Sequence, residues 1–169
     1  MNRLFHGVIA YDDLSIAKLA KEKWDFMVGA LQPGCDFQLR VWKFEALRFP
    51  RLRDLAINDA AQSAVIIVAT KGTSEFPMEV NEWMEQWLAQ KAETADHAGL
   101  LILLCDPAPE KFGAFGLSQF ACLQRTARRG AMDFLSSVQT ISSDPAPSQP
   151  NPVTGLPGSG EISVQHVKA

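Results

Sequence analysis

The stretch "SAVIIVA", Ser63 to Ala69, decides the fold. It is short, continuously apolar and rich in β-branched side chains. A strand with one wet face alternates apolar and polar residues, and this one does not. It is therefore expected at the centre of a sheet, buried on both faces, as in parallel sheets covered by helices. "GLLILLC", Gly99 to Cys105, has the same character and predicts a second buried strand. Between the two lies Met78 to Gln90, where Val80, Trp83, Met84, Trp87 and Leu88 recur at helical spacing. Glu79, Glu82, Glu85 and Gln86 fall on the outer part of that wheel. Buried strand, amphipathic helix, buried strand is the pattern of a parallel crossover unit.

The same alternation extends outward. Leu4 to Tyr11 reads as a first buried strand, followed by a helix from Leu14 to Leu31. Its inward face is expected at Ile16, Ala20, Trp24, Met27, Val28 and Leu31. Asp36 to Phe44 alternates Phe37, Leu39 and Val41 with Gln38 and Arg40, which predicts a half-exposed strand near a sheet edge. Leu52 to Ala61 predicts a short helix with Leu52, Leu55, Ala56 and Ile57 turned inward. Gly116 to Arg129 predicts another, carrying Leu117, Phe120, Ala121 and Leu123 and stopped by Gly130. Ala131 to Ile141 supplies a fifth strand. The expected fold class is α/β, a three-layer sandwich around a five-stranded, mostly parallel sheet of order 2-1-3-4-5. Residues 1–141 form the single domain. Residues 142–169, rich in Pro, Ser and Gly, are expected to be a disordered tail, because they hold too few large apolar groups to offset the entropy of ordering.

Bulk properties agree with a globular domain. The 169 residues are 47% hydrophobic and 21% charged, with a net charge of −3. That charge gives no reason to expect nucleic acid as a partner. No apolar run is long enough to span a bilayer. No signal peptide is evident, and the three scattered cysteines, Cys35, Cys105 and Cys122, read as free thiols, so the expected location is cytoplasmic.

In a sheet of this order, ligands bind at the carboxyl ends of the strands, near the switch between strands one and three. The residues expected there are Asp12 and Asp13, the loop Thr70 to Glu75, and Asp106, with Ser136 and Ser137 from strand five. Asp12 and Asp13 have two readings: a Mg²⁺ site, since hard oxygen ligands suit that ion, or a solvated acid and the N-cap of the first helix. In "TKGTSEF", Thr73 and Ser74 could present hydroxyls to an anion at a helix N-terminus. The reading preferred here is an ordinary turn in which Thr73 or Ser74 caps that helix. Glu75 is either a cleft carboxylate or a complement to the helix dipole. No known nucleophile elbow, zinc-protease pair or phosphate loop occurs. His6, His97 and His166 lack a metal-ligand spacing.

The first strand, Asp12-Asp13 and the following helix resemble the opening of a response-regulator receiver domain. That resemblance implies a flavodoxin-like fold and an acidic pair that helps bind Mg²⁺, carried here by Asp12 and Asp13. It also implies a phosphoacceptor aspartate ending strand three and a lysine ending strand five. This chain has Ala69 and Thr70 at the first place and no lysine between Ala131 and Ile141. The expected function is a non-catalytic, receiver-like signalling or interaction domain, with a protein partner or a second copy as its target. Its contact surface is expected either around Trp42, Phe44, Leu47 and Phe49, if several of them stand exposed together rather than covering the core, or on the acidic face of the Met78 to Gln90 helix. Arg40, Lys43, Arg48, Arg51 and Arg53 nearby read as a solvated edge that resists strand pairing. The rival is a Mg²⁺-dependent nucleotide- or phosphate-binding enzyme with Asp12, Asp13, Thr73, Ser74, Glu75 and Asp106 in its cleft. A flavoprotein is a third reading, suggested by the fold alone.

Overall fold

The computed structural model describes residues 3–31, 34–94, 99–105 and 113–136. Strands and helices alternate: β1 (Arg3–Tyr11), α1 (Leu14–Ala30), β2 (Cys35–Lys43), α2 (Pro50–Ala61), β3 (Val65–Thr70), α3 (Met78–Ala92), β4 (Leu100–Cys105), α4 (Ala114–Arg129) and β5 (Asp133–Ser136). A 3₁₀ segment, Phe44–Arg48, joins β2 to α2. The five strands form one sheet of order β2-β1-β3-β4-β5. Every pairing is parallel. This is the order expected from the alternation of strands and helices. The carboxyl end of β1 lies beside that of β3, with Tyr11 opposite Ala69.

Residues of β3 alternate between two cores, which is why the strand is apolar throughout. Ile66 and Val68 face α2, α3 and α4 in the larger core, with Val8, Leu101 and Leu103 from neighbouring strands. Ile67 and Ala69 face α1 in the smaller core, with Ile9 and Leu104. Helix α3 packs as its wheel predicts: Val80, Trp83, Met84, Trp87 and Leu88 are all buried. Trp83 and Trp87 meet edge to face, their centroids 6.0 Å apart. Full burial of such rings stabilises by roughly 4–6 kcal/mol each before ordering entropy. Their indole nitrogens have no acceptor among the described residues, which offsets about 1–3 kcal/mol per ring.

Several side chains sit differently from expectation. Leu31 falls just beyond α1 as its C-cap and is exposed. In α2 the inward arc is Ala56, Ile57, Ala60 and Ala61. At about 100° per residue that arc leaves Leu52 at its margin and Leu55 outside it, so both are exposed. In α4 the buried positions are Gly116, Gln119, Leu123, Thr126 and Ala127. Two polar residues therefore take the inward face, and Leu117 and Ala121 turn to solvent. Ser63 is not in β3. Its hydroxyl donates to the Asp59 carbonyl at 2.6 Å, at the end of α2. The edge strand β2 is half-exposed as expected, with Val41 open and Phe37 and Leu39 packed against the smaller core.

The apolar patch expected around Trp42 does not form as a unit. Phe44 and Leu47 are buried, and Trp42 packs against the larger core while its indole N–H donates to Asp59 at 3.0 Å. Phe49 alone of that group is exposed. Several of the nearby cations also form ion pairs: Arg53 with Glu82 at 2.7 Å, Lys43 with Glu45 at 3.1 Å, and Arg48 with Glu79 at 3.8 Å, with the Lys43 and Arg48 side chains still largely exposed. Arg129 of α4 grips Glu85 through two bonds, at 2.6 and 2.9 Å. The acidic face of α3 is thus matched by arginines from the Phe44–Arg48 segment, α2 and α4. No helix among the described residues is long and apolar enough to cross a membrane. The expected tail 142–169, residues 137–141 of the fifth strand, Asp106, His97 and His166 lie outside the described residues.

Candidate functional site

The switch point between β1 and β3 is held together by Asp12. Its backbone N–H donates to the Ala69 carbonyl at 3.2 Å. Its carboxylate accepts from the Thr70 hydroxyl at 2.9 Å and from the Lys71 backbone N–H at 3.0 Å. Thr70, the last residue of β3, is 1% exposed. Its hydroxyl oxygen also accepts from the Gly72 N–H at 3.1 Å. The chain turns sharply there, with Gly72 at φ +71°, a conformation that disfavours any residue with a side chain.

Asp13 has a different task. It is the N-cap of α1, accepting from the Ser15 N–H at 2.8 Å and from the Ser15 hydroxyl. The Lys71 ammonium stands 3.5 Å away. The Ser15 hydroxyl first, the Ser15 amide next and Lys71 after them hold the Asp13 carboxyl below its ordinary range, against a smaller desolvation effect. Hydrogen bonds to the ionised form have this sign.

A cleft of about 260 Å³ opens above the strand ends. Asp12 and Thr70 form its floor, Ser74 and Glu75 contribute from the loop after β3, and Phe44 and Phe76 line one side. Those two rings pack edge to face with centroids 6.0 Å apart. Lys43, Glu45 and Gln119 complete the polar lining. Gln119 is 3% exposed. Its Nε2 donates to the Ser74 carbonyl at 2.7 Å, which fixes the amide's orientation. The Oε1 is left with no donor among the described residues. An unpaired buried acceptor costs roughly 1–3 kcal/mol.

The structure thus brings Asp12, Ser74 and Glu75 to one cleft. Asp13 and Thr73 are not among its lining residues. Neither Thr73 nor Ser74 caps a helix, because α3 starts at Met78 with Pro77 as its N-cap and no side-chain cap bond. Glu75 is accordingly outside the helix, and Glu79 is the acid in its first turn. Ser136, projected here from β5, is buried. Among the described residues no three His, Cys, Asp or Glu side chains group so as to hold a metal ion. Lys43, Phe44, Glu45, Phe76 and Gln119 were not anticipated. Their sequence neighbourhoods carry no shared motif, and only the packing of α4 and the 3₁₀ segment over the strand ends unites them.

No protein-family model matches this chain, and neither a curated protein nor a solved structure matches it significantly. Fold and site together define a doubly wound α/β domain with a small cleft at its topological switch point.

Proposed function

We propose that this is a non-catalytic, receiver-like domain that works by binding a protein partner. One observation carries the reading. The end of β3, where a phosphoacceptor carboxylate would stand in a receiver domain, holds a buried threonine whose hydroxyl is tied to Asp12 and Gly72. Asp12 is in turn occupied as a strand-to-strand tie, and Asp13 as a helix cap. These roles support a scaffold in which the acidic pair holds the switch point together rather than performing phosphotransfer. Exposed apolar residues on and beside α2 favour a contact surface there: Phe49, Leu52 and Leu55 recur every three residues, with Met78 exposed at the start of α3.

The rival, a Mg²⁺-dependent nucleotide- or phosphate-binding enzyme, is supported by the existence of the cleft and by Asp12 and Glu75 in it. Incubation of the full chain with an acyl phosphate and Mg²⁺, read by intact mass, separates the two. The expected result is no added phosphoryl group, together with no rise in Tm on adding Mg²⁺ and nucleotides. A phosphorylated product, or a nucleotide-dependent Tm increase that Asp12→Ala removes, overturns the proposal.

A further inference from the structure

We propose that β2 is a docking edge for a second copy of this chain, and that two copies join through antiparallel β2–β2 pairing into one continuous sheet. β2 is nine residues long and, among the described residues, pairs only with β1. Every second residue of an edge strand turns its N–H and C=O away from its neighbour, and those groups are a template for another strand. Edges are commonly blunted by proline, a bulge or short length. β2 contains no proline, and its register with β1 runs unbroken from Arg3↔Cys35 to Tyr11↔Lys43. Val41 is an exposed apolar side chain on it. Phe37, half-buried, stacks on Phe5 at 5.8 Å and meets Trp24 edge to face at 6.4 Å, so an aromatic cluster reaches the edge itself.

The charge pattern names the occupant. In a two-fold antiparallel pairing, opposed side chains share a face of the sheet, so the axis passes through one residue of β2. With the axis at Gln38, Asp36 of each copy stands opposite Arg40 of the other. That gives an opposite-charge pair on each side of the axis, and such cross-strand pairs are favourable. On the other face Phe37 meets Leu39, and Cys35 meets Val41, which covers the exposed valine. Cys35 to Val41 is then opposed by the same stretch reversed, with about six to eight backbone hydrogen bonds. The neighbouring registers are poorer. An axis at Arg40 opposes the two arginines directly. An axis at Leu39 sets Asp36 against Trp42, and one at Phe37 shortens the overlap and leaves Asp36 against Gln38. Asp36 and Arg40 are both exposed. Arg40 touches Asp59 only at 4.0 Å with its side chain 54% exposed, so its guanidinium is placed to turn to the second copy. An edge arginine deters foreign strands. Here it is matched by the same strand, reversed, in one register.

The inference goes beyond the non-catalytic reading and does not rest on it. Analytical ultracentrifugation of the full chain tests it. Wild type is expected to be a concentration-dependent dimer. Asp36→Lys and Arg40→Glu each turn both cross-strand pairs into like charges, and each is expected to weaken self-association about tenfold or more. An equimolar mixture of the two variants is expected to dimerise as well as wild type, because in the heterodimer both pairs are again of opposite charge. A variant that had simply lost its fold would not be rescued in this way. Crosslinking with oxidised glutathione reads the register, on a background with Cys35 and Cys122 changed to serine. Gln38→Cys is expected to give a disulfide-linked dimer, because residues opposed on the axis stand within disulfide reach. Arg40→Cys is expected not to. A full chain that stays monomeric at every concentration reached overturns the inference. So do charge-reversed variants that dimerise like wild type, a mixture that stays monomeric, or crosslinking through Arg40→Cys in place of Gln38→Cys. A dimer lost on Leu55→Asp but indifferent to both charge reversals puts the contact on α2 and overturns it too. The acyl phosphate assay is blind to this contact, so the two readings fail separately.

Discussion

Thr70→Val removes one oxygen from the floor of the cleft and nearly nothing else. Valine keeps the shape and the preference for a strand. Two hydrogen bonds disappear: the donation to Asp12 at 2.9 Å and the acceptance from Gly72 N–H at 3.1 Å. The first is to a carboxylate, and bonds to charged groups contribute about 1.5–3 kcal/mol. The second leaves the Gly72 N–H without its partner, in a buried residue. Together they predict a loss of about 2–4 kcal/mol. Thr70→Ser keeps both bonds and sheds one buried methyl group, a loss of about 1 kcal/mol. Urea unfolding of the three proteins, with unchanged m-values, gives the comparison. The expected order of stability is wild type, then Ser, then Val. A cycle with Asp12→Ala should show a coupling of about 1 kcal/mol or more between the two sites. If Thr70→Val is as stable as Thr70→Ser, or if the coupling vanishes, Asp12 is not a structural tie, and the argument against a phosphotransfer role for it fails.

Other perturbations probe the same architecture. Gly7 of β1 lies under Trp24 of α1, so a Cβ at that position would drive into the indole ring, 3.0 Å or less from its atoms. Gly7→Ala should cost about 1–3 kcal/mol of overpacking and lower the urea midpoint. It should be partly rescued by Trp24→Leu. The Asp13 carboxyl titrates below its unfolded value, so the stability it contributes is fully present above the unfolded pKa near 4. That contribution is lost as pH falls through the lowered folded pKa. The Tm difference between wild type and Asp13→Ala should therefore be constant near neutrality and shrink in acid, as seen by thermal melts across pH. Burial raises the Cys122 thiol above its ordinary pKa, with Glu85 adding to the rise and Arg125 opposing it. Iodoacetamide at pH 8 should label Cys122 more slowly than a free thiol, by timed mass spectrometry on a variant with the other cysteines removed.

The layout of the domain was legible because its signals are local. Continuous apolar runs in β3 and β4, and the helical stripe of α3, follow from burial on two faces or one, and each can be read within its own segment. Alternation in β2 marked an edge strand, and the edge is where it lies. The same reading failed where size competed with angle. Leu52, Leu55 and Leu117 are apolar yet exposed, because alanine, glycine and a buried glutamine take the inward arcs of α2 and α4. At Trp42 the sequence left two readings open, cover for the core or part of an exposed patch, and its indole, tied to Asp59 and packed against the core, takes the first.

By itself the sequence determined an alternating α/β chain, its strand order, and the position of Asp12 and Asp13 at the first strand-to-helix turn. Tertiary structure decided what those residues do. The 2-1-3-4-5 order lays the end of β1 against the end of β3, and only then does Asp12 meet a threonine 58 positions away. The separation of roles, Asp12 as tie and Asp13 as cap, depends on the direction each side chain takes on leaving β1. Gln119 reaches Ser74 across 45 positions because α4 packs over the loop after β3. Local periodicity encodes which face of an element is buried, whereas the contents of a cleft depend on which distant ends the sheet brings together.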